Sequence, residues 1–432
     1  MLAFMAFFRG SQGRAPLRVS TSVCIAWGAL LSCGCGSSTQ SDPAIPGKAK
    51  AFDHVAVDDG ALGDSTYKGP VRPWAESTYS PRLGSTPEPS LSELEEVCGK
   101  GDVALHEVAQ LIAEMHQADQ EAPALDVARF HLRRRGSPYV MPRLWSATIK
   151  GIEQSEVVDN VSEWANSRKR EGEMRCGVGL AEGEDGERTV SVLQTEVFAE
   201  VKPIATRVEA GEWIELEATM LVPTTSATVL LLPPEGRPKR LNTKFHGNRA
   251  TARFAIETEG TWLVQLMATQ SGGPRPVAGM LVTADSALPQ GIDSSPVPGE
   301  DAWDETLRPE PALFELMNAA RADQGLPALK RSRTLDRVAK LHSQAMLKRG
   351  RISHDTGRGD PARRVEMAGL HPKATGENVA LAGSVVRLHR VLWASPSHRE
   401  NLLLRRWDEA GVAIVRRKDG TLFATQLFAD SL

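Results

Sequence analysis

Hydrophobic positions along this chain change their spacing from one region to the next. Val108, Leu111, Ile112 and Met115 recur at i, i+3, i+4 and i+7, which places them on one face of a helix. Val157, Val161 and Trp164 predict a second helix. The same stretch ends in Cys176-Gly-Val-Gly-Leu-Ala, an acidic Gly-rich turn from Glu182 to Gly186, and Thr189-Val-Ser-Val-Leu, which together predict a β-hairpin. Residues 92–198 therefore read as an α+β domain.

From about residue 201 to 284 the spacing shortens to alternation. Trp213–Leu216, Thr228–Leu232, Ala250–Ile256, Thr261–Met267 and Val277–Val282 are strand candidates. Pro233-Pro-Glu-Gly236, Glu257–Gly260 and Ser271-Gly-Gly-Pro274 separate them as turns. Short strands at even intervals predict an immunoglobulin-like β-sandwich over 199–285. Its one histidine, His246, has no catalytic company, so this region reads as a spacer or binding module. Pro289, Pro296, Pro298, Pro309 and Pro311 then punctuate a semi-extended linker over 286–308.

Helical spacing returns in residues 309–432. Leu313, Leu316, Met317 and Ala320 predict a helix stopped by Gly325-Leu-Pro327. Leu335, Val338, Ala339, His342, Ala345 and Met346 predict the apolar face of another, with Gly350 as its C-cap. Ser384 caps a helix carrying Leu388, Leu392 and Trp393, and Ser395-Pro396 opens one more. Gly411-Val-Ala-Ile-Val, a Lys418-Asp-Gly420 turn and Leu422–Phe428 predict a closing hairpin.

The N-terminus reads as an export signal, residues 1–32. Arg9, Arg14 and Arg18 precede a largely apolar run from Val19 to Leu31 that is too short to span a bilayer. Leu30-Leu31-Ser32-Cys33 resembles a lipobox, which makes Cys33 the lipidation site. Cys35 is a poorer alternative, and ordinary signal-peptidase cleavage near 36–38 competes with both. Residues 33–91, rich in Ser, Pro, Gly and Asp, read as a flexible tether on which Trp74 and Tyr79 stand out as aromatics able to dock. The predicted location is the cell envelope, at the outer membrane in a diderm host because Gly34 follows Cys33, or secreted if no lipid is added. The chain has five cysteines. Cys24 leaves with the signal, and an oxidising compartment permits a Cys98–Cys176 disulfide. The net charge of -3 with mixed signs gives no attraction to nucleic acid. The basic run Arg333–Arg351 falls on a helical pattern and reads as a solvated face.

One set of motifs is more specific. Leu316-Met-Asn-Ala-Ala-Arg321, Gly325-Leu-Pro-Ala-Leu329, Ala339-Lys-Leu-His-Ser343, Ile352-Ser-His354, Gly376-Glu-Asn378, Trp393, Ser395-Pro-Ser-His-Arg-Glu-Asn-Leu402, Gly411-Val412 and Gln426 follow one another in order. This region resembles the bacterial, sporulation-type branch of the CAP (SCP-like) superfamily. The resemblance implies an α-β-α sandwich with an open cleft. It carries two histidines and a glutamate onto His354, His398 and Glu377, a set able to hold Zn²⁺ or another divalent cation, or to do acid–base chemistry. His398 beside a helix N-terminus is expected to have a lowered pKa. Trp393 is followed by Ala394-Ser395-Pro396 where eukaryotic members place a second glutamate, which counts against enzymatic activity. Glu400 or Glu409 could approach, but nothing in the sequence places either of them there.

His342 reads as a satisfied core histidine, Trp393 as core, and Asn378 and Arg399 as supporting residues. Ser353 and Ser397 sit beside histidines in sequence without the spacing of a nucleophile pair. The resemblance favours a binding or interaction module, with a metal, a small lipid or another envelope ligand in the cleft. A hydrolase using His354, Glu377 and His398 and a purely structural surface protein are the alternatives. Residues 92–198 also end like the C-terminal domain, with Gly177-Val178 and Asp185-Gly186 against Gly411-Val412 and Asp419-Gly420. That likeness raises the expectation of a degenerate copy that kept the packing and lost the site.

Overall fold

The computed structural model describes residues 53–58 and 78–431, apart from 120–121, 169, 272 and 293–294. The expected signal segment, Cys33, Cys35 and Trp74 lie outside the described residues. Among the described residues, no helix is long and apolar enough to cross a membrane.

The N-terminal part contains β1 (Asp53–Asp58), β2 (Thr78–Tyr79), α1 (Ser92–Cys98), β3 (Lys100–Gly101), α2 (Val103–Asp119), α3 (Leu125–Arg134), β4 (Arg143–Ile149), α4 (Gln154–Asn166), β5 (Glu173–Glu182) and β6 (Arg188–Val197). One sheet runs in the order β1-β4-β6-β5-β3, with β3 parallel to β5 and the other neighbours antiparallel. Alternation along the strands sends Trp145, Ala147 and Val178 into a core with Leu94, Val157 and Val161 of α1 and α4. Leu144 and Leu193 point the other way, against Leu105, Val108 and Ile112 of α2 and Leu125 and Leu132 of α3. The domain is thus three layers, helix on sheet on helix. Cys98 at the end of α1 and Cys176 in β5 are joined as a disulfide, with Cα atoms 5.7 Å apart.

The central part contains β7 (Ala199–Val201), β8 (Ile204–Ala205), β9 (Arg207–Val208), β10 (Trp213–Met220), β11 (Ser226–Leu232), β12 (Lys239–Arg240), β13 (Lys244–His246), β14 (Arg249–Ala255), β15 (Gly260–Gln270) and β16 (Gly273–Ala284). Two sheets, β13-β14-β10-β7 and β12-β11-β15-β16-β9, share one core. Strict alternation in β10 buries Ile214, Leu216, Ala218 and Met220 opposite Val229, Leu231, Trp262 and Val264 of the facing sheet.

The tether reading gives way at two places. Residues 53–58 pair antiparallel with β4 as an edge strand. Tyr79 is fully buried in the central core, and its hydroxyl accepts a hydrogen bond from Leu281 N at 3.0 Å. An edge strand needs partners on one side only, so six residues set among polar neighbours give little signal in sequence. The linker is also packed down. Leu288 is buried, Ile292 packs on the α2–α3 core, and Gly299 N donates to Asp323 Oδ2 at 2.8 Å.

The C-terminal part contains α5 (Pro309–Asp323), β17 (Lys330–Arg331), α6 (Arg333–Arg349), α7 (Pro361–Met367), β18 (Ala374–Ala382), α8 (Val385–Ala394), α9 (Pro396–Leu402), β19 (Glu409–Arg416) and β20 (Leu422–Asp430). Its sheet runs β17-β19-β20-β18, with β17 parallel to β19 and the rest antiparallel. Helices α5, α8 and α9 cover one face, and α6 and α7 the other. The N-terminal sheet repeats this order and these directions as β3-β5-β6-β4. The same helix-on-strand contact recurs as well. Val412 N donates to Asp336 Oδ1 of α6 at 2.8 Å, and Val178 N donates to His106 Nδ1 of α2 at 3.0 Å.

A Cβ at Gly411 would lie 2.3 Å from the Leu335 carbonyl carbon, and one at Gly177 would lie 2.0 Å from that of Leu105. Both obstacles are backbone, which cannot rotate away. Gly411→Ala and Gly177→Ala should each lower the unfolding free energy by about 1–3 kcal/mol. Gly383→Ala, with nothing near its added methyl, should stay within about 0.5 kcal/mol of wild type. Urea unfolding of the three variants checks this, and a neutral Gly411→Ala would contradict the close approach.

Candidate functional site

Strand β18 is an edge of its sheet, and the candidate residues wrap around it. Glu377 faces α6 and α7, and its neighbour Asn378 faces α9, as successive strand residues must. Glu377 is 5% exposed. Its Oε1 meets His354 Nδ1 at 2.8 Å and lies 3.6 Å from His342 Nε2. Its Oε2 accepts from an Arg364 Nη2 of α7. Arg364 Nη1 in turn donates to the carbonyls of His354 and Gly359, at 2.6 and 2.7 Å, so it fixes the loop as well as the charge.

Burial pushes the Glu377 carboxyl up, but the hydrogen bond from His354 and the charges of His354, Arg364 and His342 outweigh it and hold the group below the usual carboxylate range. The carboxylate holds a proton on His354 Nδ1 and so fixes the orientation of the ring. His342 is buried; its Nε2 faces Ser353 O at 2.8 Å and its Nδ1 faces Thr356 Oγ1 at 3.3 Å. Burial lowers its pKa, against the pull of Glu377.

His398 enters from the first turn of α9. Asn378 Nδ2 donates to its carbonyl at 3.1 Å, and Asn401 Nδ2 donates to Asn378 Oδ1 and Glu377 O, both at 3.1 Å. The His398 ring is pushed down to about 3, first by burial and then by the charge of His354, so the neutral form holds near neutrality. The expected direction is present, and its cause is burial rather than the helix end. His398 Nδ1 is buried without a hydrogen-bond partner among the described residues.

The central sandwich abuts this edge. A Cβ at Gly273 would lie 3.9 Å from His354 Cβ, and Ser397 N donates to Gln265 Oε1 at 3.3 Å. Arg399 stacks its guanidinium 4.3 Å from the Trp393 ring centre and donates to Gly236 O at 3.3 Å. Glu400 is not in the site: it takes a bidentate pair from Arg240 of β12, at 3.0 and 2.6 Å.

A bound metal needs lone pairs that are not already spent. Both Glu377 oxygens are engaged, and one faces a guanidinium, so the trio as arranged fits a cation poorly. Among the described residues no three His, Cys, Asp or Glu side chains group to hold a metal ion. His398 Nδ1 is left buried and unpartnered, and His354 is the partly exposed member of the set.

Residues 314–428 match the family model described as the cysteine-rich secretory protein family, CAP. The C-terminal domain is a CAP domain. The uncharacterized protein YkwD of Bacillus subtilis is 30% identical over 119 residues, which are 27% of this chain and 46% of that protein. The chain thus spans under half the length of that relative. Among solved structures, an outer surface protein of Borrelia burgdorferi is 23% identical, covering 28% of this chain and 90% of its own, with a TM-score of 0.26. An extracellular SCP-domain protein of Bacillus anthracis is 17% identical, covering 54% and 85%, with a TM-score of 0.27.

In this CAP domain the sequence motifs led to His354, Glu377 and His398 but missed two members of the cluster. His342 read as core, and it is core, yet it also faces Glu377. Arg364 gave no signal because one arginine in a short basic helix looks like a solvated face.

The depressed His398 has a consequence for stability. An unfolded histidine takes up a proton as pH falls through about 6.5. Folded His398 resists until about 3. Stability should therefore fall from pH 7 to 5 by on the order of 1–2 kcal/mol from this group, with the full loss only below its folded pKa. Glu377, with its depressed carboxyl, loses its contribution only below about 4.5 and stays out of that window. Urea unfolding at pH 7 and 5 should give a smaller pH difference for His398→Gln than for wild type; equal differences would mean the ring is solvated.

Proposed function

We propose that this chain is an exported, surface-displayed binding protein whose CAP cleft contacts a small ligand through His354 and His398. The observation that carries this reading is the state of Glu377. Glu377 has given one oxygen to His354 and the other to Arg364, so it cannot itself act as the general base. Nor does a nucleophile stand ready: Ser353 Oγ donates to Asp355 O, and Ser397 Oγ lies by Ser395 Oγ. What the cleft offers is an imidazole oriented by a buried anion, with 23% of the His354 side chain exposed.

The rest of the chain supports display. A lipid on Cys33 would tether it to the envelope, two or three acyl chains giving stable anchorage where one does not. The sandwich divides its strands as β7-β10-β14-β13 and β11-β15-β16, with β12 and β9 at the edges of the second sheet. That matches the A-B-E-D and C-F-G division of an immunoglobulin domain and supports a rigid spacer. The N-terminal domain fits a copy without a site. Gly177 and Leu144 both pair with Leu193, as Gly411 and Glu377 both pair with Leu427, so Leu144 stands at the Glu377 register. Ile112 likewise lies six residues beyond His106, as His342 lies six beyond Asp336.

Two experiments test this. Cys33→Ser should move the protein from the membrane fraction to the soluble one; unchanged fractionation would remove the anchor. For the cleft, the full chain and its His354→Ala/His398→Ala variant are compared with a casein substrate, with Zn²⁺ and with a fluorescent fatty-acid analogue. Neither protein should hydrolyse casein, and the variant should bind one of the two ligand probes at least tenfold more weakly. Hydrolysis by wild type alone would favour the hydrolase, and identical behaviour throughout would favour a structural role.

A further inference from the structure

Helix α6 meets the sheet with one face and turns the other to solvent. Arg333, Arg337, Lys340, Leu341, Gln344 and Lys348 are all exposed. At about 3.6 residues per turn they fall within an arc of about 100° that points away from buried Leu335, Val338, His342 and Met346. No carboxylate stands in that stripe. Asp336, at its side, is spent on Val412 N and on Arg331 Nε, at 2.8 and 2.9 Å. Among the described residues, Arg333, Lys340 and Lys348 pair with no carboxylate, and Arg337 donates to Thr334 Oγ1 at 3.1 Å.

The stability of the helix does not ask for this arrangement. Arg333 opens α6, where the helix dipole disfavours a cation. Arg337 follows it at i+4 and Lys340 follows Arg337 at i+3, spacings at which like charges repel. A face made only to be solvated would gain from a glutamate among them. Leu341, inside the stripe, is 51% exposed. On α7, which covers the same face of the sheet, Met367 is 64% exposed one turn after Arg363. Glu366 lies 3.8 Å from that guanidinium and is the exposed carboxylate of α7. We propose that the outward face of α6 and α7 docks on a bilayer surface rich in anionic phospholipid. The cations meet headgroup phosphates, and Leu341 and Met367 enter the interfacial layer among them. A soluble polyanion would satisfy the charges but leave both apolar side chains in water, so the bilayer is the better fit. The proposal depends neither on how the cleft is read nor on a lipid at Cys33.

The test uses the full chain carrying Cys33→Ser, so that no acyl chain contributes, in co-sedimentation with phosphatidylglycerol or phosphatidylcholine vesicles. The parent should be retained on the first and not on the second, and less so as salt rises from about 0.05 to 0.3 M. Adding Lys340→Glu/Lys348→Glu should cut retention at least about tenfold. Adding Leu341→Ser/Met367→Ser instead should cut it about threefold or more with every cation in place. The segment before Cys33 is common to all three proteins, so their differences report the face. The four side chains are exposed, and each variant should keep the parent's urea midpoint; should one not fold, the other decides. No retention of the parent on phosphatidylglycerol, or equal retention of all three, overturns the proposal. A loss on charge reversal with no effect of Leu341→Ser/Met367→Ser overturns the bilayer and assigns the face to a soluble polyanion.

Discussion

Helix α6 lies so close to β19 that no side chain fits between them at Gly411. The rest of the CAP domain depends on that contact. With the helix pressed onto the strand, Asp336 reaches Val412 N, and the register of α6 is set. Six residues on, His342 arrives beside Glu377, and the loop leaving the helix brings His354 to the same carboxylate. A helix held one methyl further out would carry both histidines away from the strand. The N-terminal domain obeys the same constraint at Gly177 while presenting Ile112 and Leu144 in the corresponding places. Close packing and chemistry are therefore separable: the first is needed to fold, and the second can be replaced by apolar side chains.

Charge sets the second constraint. Glu377 is buried, so its ionised form needs compensation from inside the protein, and Arg364 with His354 supplies it. The interdomain contacts use the same device. Arg387 of α8 pairs with Asp126 of α3 with both side chains 10% exposed, and Arg390 takes Glu300 of the linker. The second pair, with His389 Nε2 facing the Pro298 carbonyl at 2.8 Å, holds the end of the linker against the CAP domain.

What could be read from sequence follows from how local the cause is. The glycines, the Gly376-Glu-Asn378 run and the Ser395-Pro396 helix start act within a few residues, so they were visible. The alternation of β10, β11, β14, β15 and β16 was visible because one face of each is buried. The strands β7, β8, β9, β12 and β13 are two or three residues long and carry no period. Arg364 could not be distinguished from a surface charge, since its partner lies on another element. The low pKa of His398 comes from burial and the charge of His354, and no helix-local rule contains that. The 53–58 strand was hidden for the same reason, its partner lying more than 80 residues away in the chain, whereas Tyr79 stood out as an aromatic able to dock.

The covalent link between Cys98 and Cys176 spans 78 residues and closes over the first sheet, next to Gly177. A loop of that length restricts the unfolded chain by about 4 kcal/mol in the chain-entropy account. That contribution exists only after oxidation. Under reducing conditions the same polypeptide lacks it. The redox state of the surroundings therefore sets the stability of the first domain and leaves untouched the CAP domain, which has no cysteine and relies on packing alone.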